Sequence, residues 1–127
     1  MRARQAWIVL GSLLLLVVSG SSSGAESDFL PGVRRVVVLG DSITYGGGYV
    51  AGLEAYALTR HPDRQIEWLN LGLPSETVSG LSEPGHADGQ FPRPDLHERL
   101  DRVLAQTKPD LVLACYGMND GIYYPFG

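Results

Sequence analysis

Three short apolar segments, each followed by a turn that contains glycine, dominate the pattern of hydrophobic and polar positions along the chain. They cover residues 36–39, 66–71 and 111–116. The first segment is apolar throughout and mostly β-branched, with no alternation of polarity. Such a run is typical of a strand that is covered on both faces, as in a parallel sheet. The pattern therefore predicts three strands of one sheet.

Apolar positions at helical spacing lie between these segments. A well-marked stripe predicts an amphipathic helix over residues 94–107, with Pro94 in its first turn. An earlier helix is expected to end before His61, because Pro62 disfavours helical geometry in the residue that precedes it. The predicted helices cover residues 49–60, a short stretch near 76–81 and residues 94–107, whereas residues 40–48 and 118–127 are predicted as loops.

The order of these elements predicts the fold class. Strands that alternate with helices favour an α/β fold with a parallel sheet and right-handed crossovers. Parallel strands place their carboxyl ends at one edge, where open α/β sheets bind ligands. The turns after the three predicted strands are therefore expected to converge in space.

The N-terminal stretch has a different character. Arg2 and Arg4 precede an apolar core over residues 6–18, and small residues follow up to Ala25. This layout predicts a secretory signal peptide over residues 1–25 and a linker over 26–33, which leaves residues 34–127 for a folded domain. The protein is thus expected to be secreted or periplasmic, with a membrane anchor as the alternative if the peptide is not cleaved.

Charge and cysteine content exclude several function classes. The net charge is -4, and Arg34-Arg35 is a pair without a wider basic cluster, so nucleic acid is not an expected partner. The single cysteine, Cys115, lies in an apolar segment and is predicted to be a buried thiol. The histidines are isolated from one another, so neither a metal site nor another cofactor is expected.

Polar groups suited to nucleophilic catalysis follow the predicted strands. Ser42 comes directly after the first strand, and its hydroxyl could act as a nucleophile if a base accepts its proton. The backbone N–H groups of Ser42 and Gly72 and the side-chain amide of Asn119 could stabilise the oxyanion that forms. Asp41 and Asp120 are interpreted as supporting residues, with the Asp41 carboxylate accepting hydrogen bonds from nearby backbone N–H groups.

Three short blocks of sequence carry a resemblance to a known family. Gly40-Asp41-Ser42-Ile43, Gly72 and Gly117-Met118-Asn119-Asp120 resemble, in order and spacing, the first three blocks of the SGNH, or GDSL, hydrolase family. The resemblance covers residues 34–120. It implies a three-layer α/β/α, flavodoxin-like sandwich and hydrolysis of carboxylic esters, such as acyl groups on sugars, lipids or small esters. It also implies that Ser42 is the nucleophile and that Ser42, Gly72 and Asn119 form the oxyanion hole.

The fourth block of the family, an Asp-x-x-His that supplies the base, does not follow Asn119 in these 127 residues. All three histidines precede the third block, and His86 is the only one placed to reach the predicted edge. The expectation from sequence is a domain truncated after its third strand, with an exposed sheet edge that could associate and with little or no esterase activity by itself.

Two other functions fit parts of the sequence. Residues 46–51 formally match the G-x-G-x-x-A of a dinucleotide-binding turn, although the first glycine lies several residues beyond the strand end. The second alternative is a non-catalytic carbohydrate-binding or ester-binding relic of the same fold. Tyr45, Tyr123 and Tyr124 are expected either to line a sugar-binding cleft or to cover a core.

Overall fold

A parallel three-stranded sheet lies at the centre of the computed structural model, which describes residues 29–121. The strands are β1 (Arg35–Gly40), β2 (Glu67–Gly72) and β3 (Leu111–Cys115). Their bounds differ by about one residue from those predicted by the apolar segments. The predicted signal peptide and most of the linker lie outside the described residues, as do Tyr123 and Tyr124.

Strand β1 occupies the middle of the sheet, which explains its continuous apolar sequence. It pairs with β2 on one side and with β3 on the other, so the strand order is β2-β1-β3. This order matches the first three strands of the flavodoxin-like arrangement, in which ligands bind between the carboxyl ends of β1 and β3. The predicted α/β fold with a parallel sheet is confirmed.

Helices cover both faces of β1. The helices are α1 (Ser42–Tyr45), α2 (Gly48–Arg60), α3 (Leu100–Thr107) and α4 (Met118–Gly121). On one face, Val36 and Val38 pack with Val50 of α2. On the other face, Val37 and Leu39 pack with Leu96, and side chains of α3 join this cluster. These two apolar layers give the three-layer α/β/α architecture.

Two segments that were predicted as loops contain short helices. Residues 42–45 form α1 because the Asp41 carboxylate accepts the N–H of Ile43 and so caps the first turn. In the second segment, residues 118–121 form α4 directly after Gly117. Both helices begin at the carboxyl end of a strand, so they set the direction of the side chains that follow β1 and β3.

The prediction of a short helix near residues 76–81 is wrong. Thr77 instead forms a parallel bridge with Asp95. The Thr77 N–H donates to the carbonyl of Pro94 at 2.9 Å, and the Thr77 carbonyl accepts the N–H of Leu96 at 3.0 Å. This pairing also delays the start of the predicted helix over 94–107. Asp95 caps a 3-10 turn over Leu96–Glu98, and α3 begins only at Leu100.

Strand β3 is more exposed than its sequence suggests. The expectation of a buried thiol at Cys115 is wrong, since this residue is exposed on the outer strand of the described sheet. The apolar sequence of β3 did not predict its exposure, because β3 pairs with another strand on one side only within residues 29–121. In the same part of the chain, no helix has both the length and the apolar content needed to cross a bilayer.

Candidate active site

Ser42 occupies the first position of α1, immediately beyond β1. Its side chain is exposed, whereas the preceding Asp41 is almost completely buried. The carboxylate of Asp41 accepts the N–H of Ile43 at 3.0 Å, and its carbonyl accepts the N–H of Tyr45 at 2.9 Å. The predicted supporting contact of Asp41 to the backbone is therefore present. It holds the turn that presents the Ser42 hydroxyl to solvent.

Two glycines allow α1 to lie directly on the sheet. A Cβ atom at Gly40 would lie 1.9 Å from Oγ1 of Thr44, and one at Gly72 would lie 2.2 Å from the backbone N of Tyr45. Both distances are far below a van der Waals contact, so neither position accepts a side chain without movement of α1. Gly40 and Gly72 are also paired across β1 and β2. The close approach of the turn to both strands fixes the place of Ser42.

Asn70 ties the same turn to β2, and the sequence analysis assigned it no role. Its Nδ2 donates to the carbonyl of Thr44 at 2.7 Å, and its Oδ1 accepts the N–H of Gly72 at 3.0 Å. Thr44 is itself fully buried, and its hydroxyl lies 2.7 Å from that of Tyr49. An asparagine one position from the end of a predicted strand was the available signal.

These contacts bear on the expected role of Gly72. Its N–H is engaged by Asn70, so it would have to exchange that hydrogen bond to serve an oxyanion. The structure shows that the missing side chain of Gly72 leaves room for the backbone of Tyr45. Its role as an oxyanion donor stays a prediction.

Asn119 lies in α4, just beyond the end of β3, and is buried. Its Nδ2 donates to the carbonyl of Glu76 at 3.1 Å, and its Oδ1 accepts from Nη1 of Arg93 at 3.1 Å. A carboxamide nitrogen carries two hydrogens, and Glu76 takes one of them. The oxygen and the nitrogen of the Asn119 amide are thus each held by a hydrogen bond, and the nitrogen retains a second N–H that can donate.

Asp120 joins β3 to the loop that follows β2. Its Oδ1 accepts the N–H groups of Val78 at 3.0 Å and Ser79 at 2.7 Å. Burial acts to raise the pKa of Asp120, but the hydrogen bonds from Ser79 and Val78 outweigh it, so the pKa lies below its usual value. Oδ2 is buried and has no hydrogen-bond partner among residues 29–121. The Asp120 side chain thus links α4 to the loop that follows β2, and its supporting role in catalysis stays a prediction.

A buried ion pair lies behind Asn119. The Glu76 side chain is fully buried and accepts from Nε and Nη2 of Arg99 at 2.5 and 2.6 Å, and from the Tyr116 hydroxyl at 2.5 Å. The hydrogen bond to Glu76 raises the pKa of Arg99. Burial, together with the Glu76 hydrogen bond, raises the pKa of Tyr116. Because the backbone carbonyl of Glu76 also accepts from Asn119, this pair fixes one wall of the site.

A second ion pair joins Asn119 to the loop over residues 82–92. Arg93 is buried, and its Nε and Nη2 donate to the two Glu83 oxygens at 2.6 and 2.7 Å. The hydrogen bond from Arg93 lowers the pKa of Glu83 to about 2. Nδ1 of His86 lies 3.4 Å from Glu83, and its ring meets that of Phe91 edge-on. A cavity of about 340 Å³ is lined by residues 82–86 and 89–92.

The structure separates the three histidines from one another. His61 stacks on Phe29 at the end of α2, a helix about 20 Å long whose other end lies near the site. His97 is exposed in its 3-10 turn. His86 contacts Glu83, and among the described residues no hydrogen bond links it to Ser42. The general base that Ser42 requires is thus not identified by a contact.

The glycine run after α1 does not form a dinucleotide-binding turn. Such a turn leads from the strand directly into the helix whose N-terminus holds the phosphates. Here α1 intervenes between β1 and Gly46, and Gly47 caps α2 in a left-handed conformation. Within residues 29–121, no group of three or more His, Cys, Asp and Glu side chains is arranged to bind a metal. A cavity of about 530 Å³, lined by residues 32–34 and 63–65, lies at the opposite edge of the sheet.

No family model and no curated protein matches this chain. Among solved structures, the chain is similar to the crystal structure of LAE5, an alpha/beta hydrolase enzyme from the metagenome of Lake Arreo, Spain. The two are 30% identical with a TM-score of 0.54, and the similarity covers 70% of this chain and 41% of that one. The chain thus spans less than half the length of LAE5. The comparison supports a hydrolase fold for the chain.

Proposed function

We propose that this chain supplies the nucleophile and the oxyanion-binding part of a serine ester hydrolase of the SGNH, or GDSL, type. Two features after neighbouring strands carry the proposal. Ser42 is exposed after β1, and after β3 the buried Asn119 amide is hydrogen-bonded at both its oxygen and its nitrogen. These strands are neighbours, and ligands of open α/β sheets bind between such strand ends. Similarity to a hydrolase fold agrees with this placement.

The proposed reaction is acyl transfer to Ser42. As a base takes the hydroxyl proton, Oγ bonds to the ester carbonyl carbon and the carbonyl π electrons move to oxygen. The second N–H of Asn119 and the N–H of Ser42, which lies in a first helical turn with no intrahelical acceptor, stabilise that oxyanion. Collapse breaks the bond to the alkoxide, which leaves with a proton, and water then releases the acid.

The substrate class in the proposal follows the resemblance, and the location follows the signal-peptide layout of residues 1–25. The substrate class is a carboxylic ester of a sugar, a lipid or a small alcohol, and the protein is exported. Exposed Tyr45, next to the nucleophile turn, provides an aromatic surface for the alcohol part of such an ester.

The test is labelling of Ser42 by a fluorophosphonate, located by mass spectrometry of peptides. Hydrolysis of p-nitrophenyl acetate is expected to be slow or absent, since no base contacts Ser42 among the described residues. A phosphonyl adduct forms on a nucleophilic serine even when deacylation is slow, so the labelling does not require turnover. We expect the adduct on Ser42, its loss in Ser42→Ala, and normal labelling in the control Thr59→Ala, which removes an exposed hydroxyl of α2. A chain that is labelled equally before and after Ser42→Ala would refute the proposal.

A further inference from the structure

Arg93 is the residue whose position the chemistry above leaves unexplained. It is buried, and it lies in the segment between β2 and α3. Its guanidinium donates two hydrogen bonds to the Glu83 carboxylate. Its Nη1 also donates to Oδ1 of Asn119 at 3.1 Å. Both Arg93 and Asn119 are about 7% exposed, so this contact is shielded from water.

The contact decides which way the Asn119 amide faces. A guanidinium can only donate, so the atom facing Arg93 must be the carbonyl oxygen. The carbonyl of Glu76 can only accept, so the atom facing it must be the nitrogen. A flipped amide would place a donor against a donor and an acceptor against an acceptor. Two buried partners of opposite kind therefore hold one orientation of the Asn119 side chain.

The charge of Arg93 also acts on the amide. A cation that hydrogen-bonds to the carboxamide oxygen draws electron density from the nitrogen, and hydrogen bonds in series strengthen one another. The second Nδ2–H thereby becomes a better donor to a developing oxyanion. Glu83 fixes the guanidinium by a fork-to-fork pair, the geometry that gives such contacts their directional precision.

We propose that Arg93, held by Glu83, is a positioning residue that orients and polarises Asn119 for oxyanion stabilisation. The inference rests on the proposed function, but the orientation itself does not. In ¹⁵N-edited NMR spectra, the side-chain amide of Asn119 gives two proton signals that report its hydrogen bonds. We expect Arg93→Ala to shift and broaden these signals, and Arg93→Lys to restore them only in part because lysine cannot form the same fork.

The kinetic arm measures the phosphonylation rate of Ser42, which needs no ester turnover. Removal of an oxyanion donor costs about 10²–10³ in rate, so loss of its orientation in Arg93→Ala should lower the phosphonylation rate by about 10-fold to 10²-fold. Added methylguanidinium should recover part of the rate in Arg93→Ala and none in Asn119→Ala. Arg102→Ala, which alters an exposed arginine of α3, is the matched control.

The outcomes separate the two proposals. If Ser42→Ala keeps full labelling, the hydrolase proposal fails, and the amide signals still decide the orientation. If Arg93→Ala is folded and leaves both the Asn119 amide signals and the labelling rate unchanged, the positioning role is overturned. Should Arg93→Ala fail to fold, Glu83→Gln weakens the same pair without removing the guanidinium, and unchanged amide signals and labelling rate in that variant would overturn the proposal equally.

Discussion

Replacing Gly72 by alanine tests whether the contact between β2 and α1 positions Ser42. The new Cβ would lie 2.2 Å from the backbone N of Tyr45, whereas ordinary contact begins at 3.4 Å. Since both groups belong to backbone or are fixed to it, α1 or the end of β2 must shift by about 1 Å. A displacement of about 1 Å in a catalytic group can cost on the order of 10²-fold in rate.

The stability cost should be modest beside the loss of function. Inserting a methyl group into a well-packed site costs about 1–3 kcal/mol of unfolding free energy. We therefore expect Gly72→Ala to unfold at lower urea concentration but to remain folded at 25 °C. The phosphonylation rate of Ser42 in this variant should fall by about 10²-fold, because a catalytic group displaced by about 1 Å loses about that much in rate.

The matched control is Gly52→Ala, also a glycine-to-alanine change. Gly52 lies inside α2, and a Cβ there would meet nothing within 4 Å. Alanine at an exposed helical position is expected to stabilise the protein by about 0.5–1 kcal/mol and to leave labelling unchanged. If Gly72→Ala labels at the wild-type rate, the close packing of α1 on Gly72 does not set the position of Ser42, and the reasoning is refuted.

Two further predictions concern the ion pairs. Arg99→Met leaves the fully buried Glu76 carboxylate without its cation. Urea titrations should show an unfolding free energy lower by about 3–5 kcal/mol, and a loss below about 1 kcal/mol would contradict the buried pair. The pKa of Glu83 falls from 4.5 to about 2 on folding, so its carboxylate stabilises the protein above pH 4.5, and that contribution is lost as the pH falls towards 2. Unfolding free energies measured over this range should therefore fall more steeply in wild type than in Glu83→Gln, and parallel curves would contradict the assignment.

The sheet could be predicted because its signals are local. Continuous apolar residues in β1 and the glycine turns after β1 and β2 are visible in short stretches of sequence, and an unbroken apolar run is typical of a strand covered on both faces. The hydrogen bond from a backbone N–H to the Asp41 carboxylate was predicted, but the helix α1 that begins there was not. Its four residues are too few to show a helical period, and α1 is held by Asn70 and by clearance at Gly40 and Gly72.

The polar interior of the site could not be predicted, since each contact joins distant parts of the chain. Glu76 lies in a stretch that suggested a short helix, yet its partners Arg99 and Tyr116 are 23 and 40 residues away. Arg93 precedes the predicted helix and showed no signal of a site role, yet it lies against Asn119, 26 residues later. Sequence also could not tell whether the glycine at position 72 gives room to a substrate or to another part of the chain.

The central position of β1 has a consequence for the order of folding. Its contacts with the start of β2 close a segment of 32 residues, whereas those with the turn before β3 span 75. Each doubling of a closed loop costs about 0.6 kcal/mol of chain entropy, and long-range parallel pairing is slow to form. We expect β1, α2 and β2 to assemble first and β3 to dock afterwards. Ser42 would then be in place early in folding, while Asn119 joins it only in the last step.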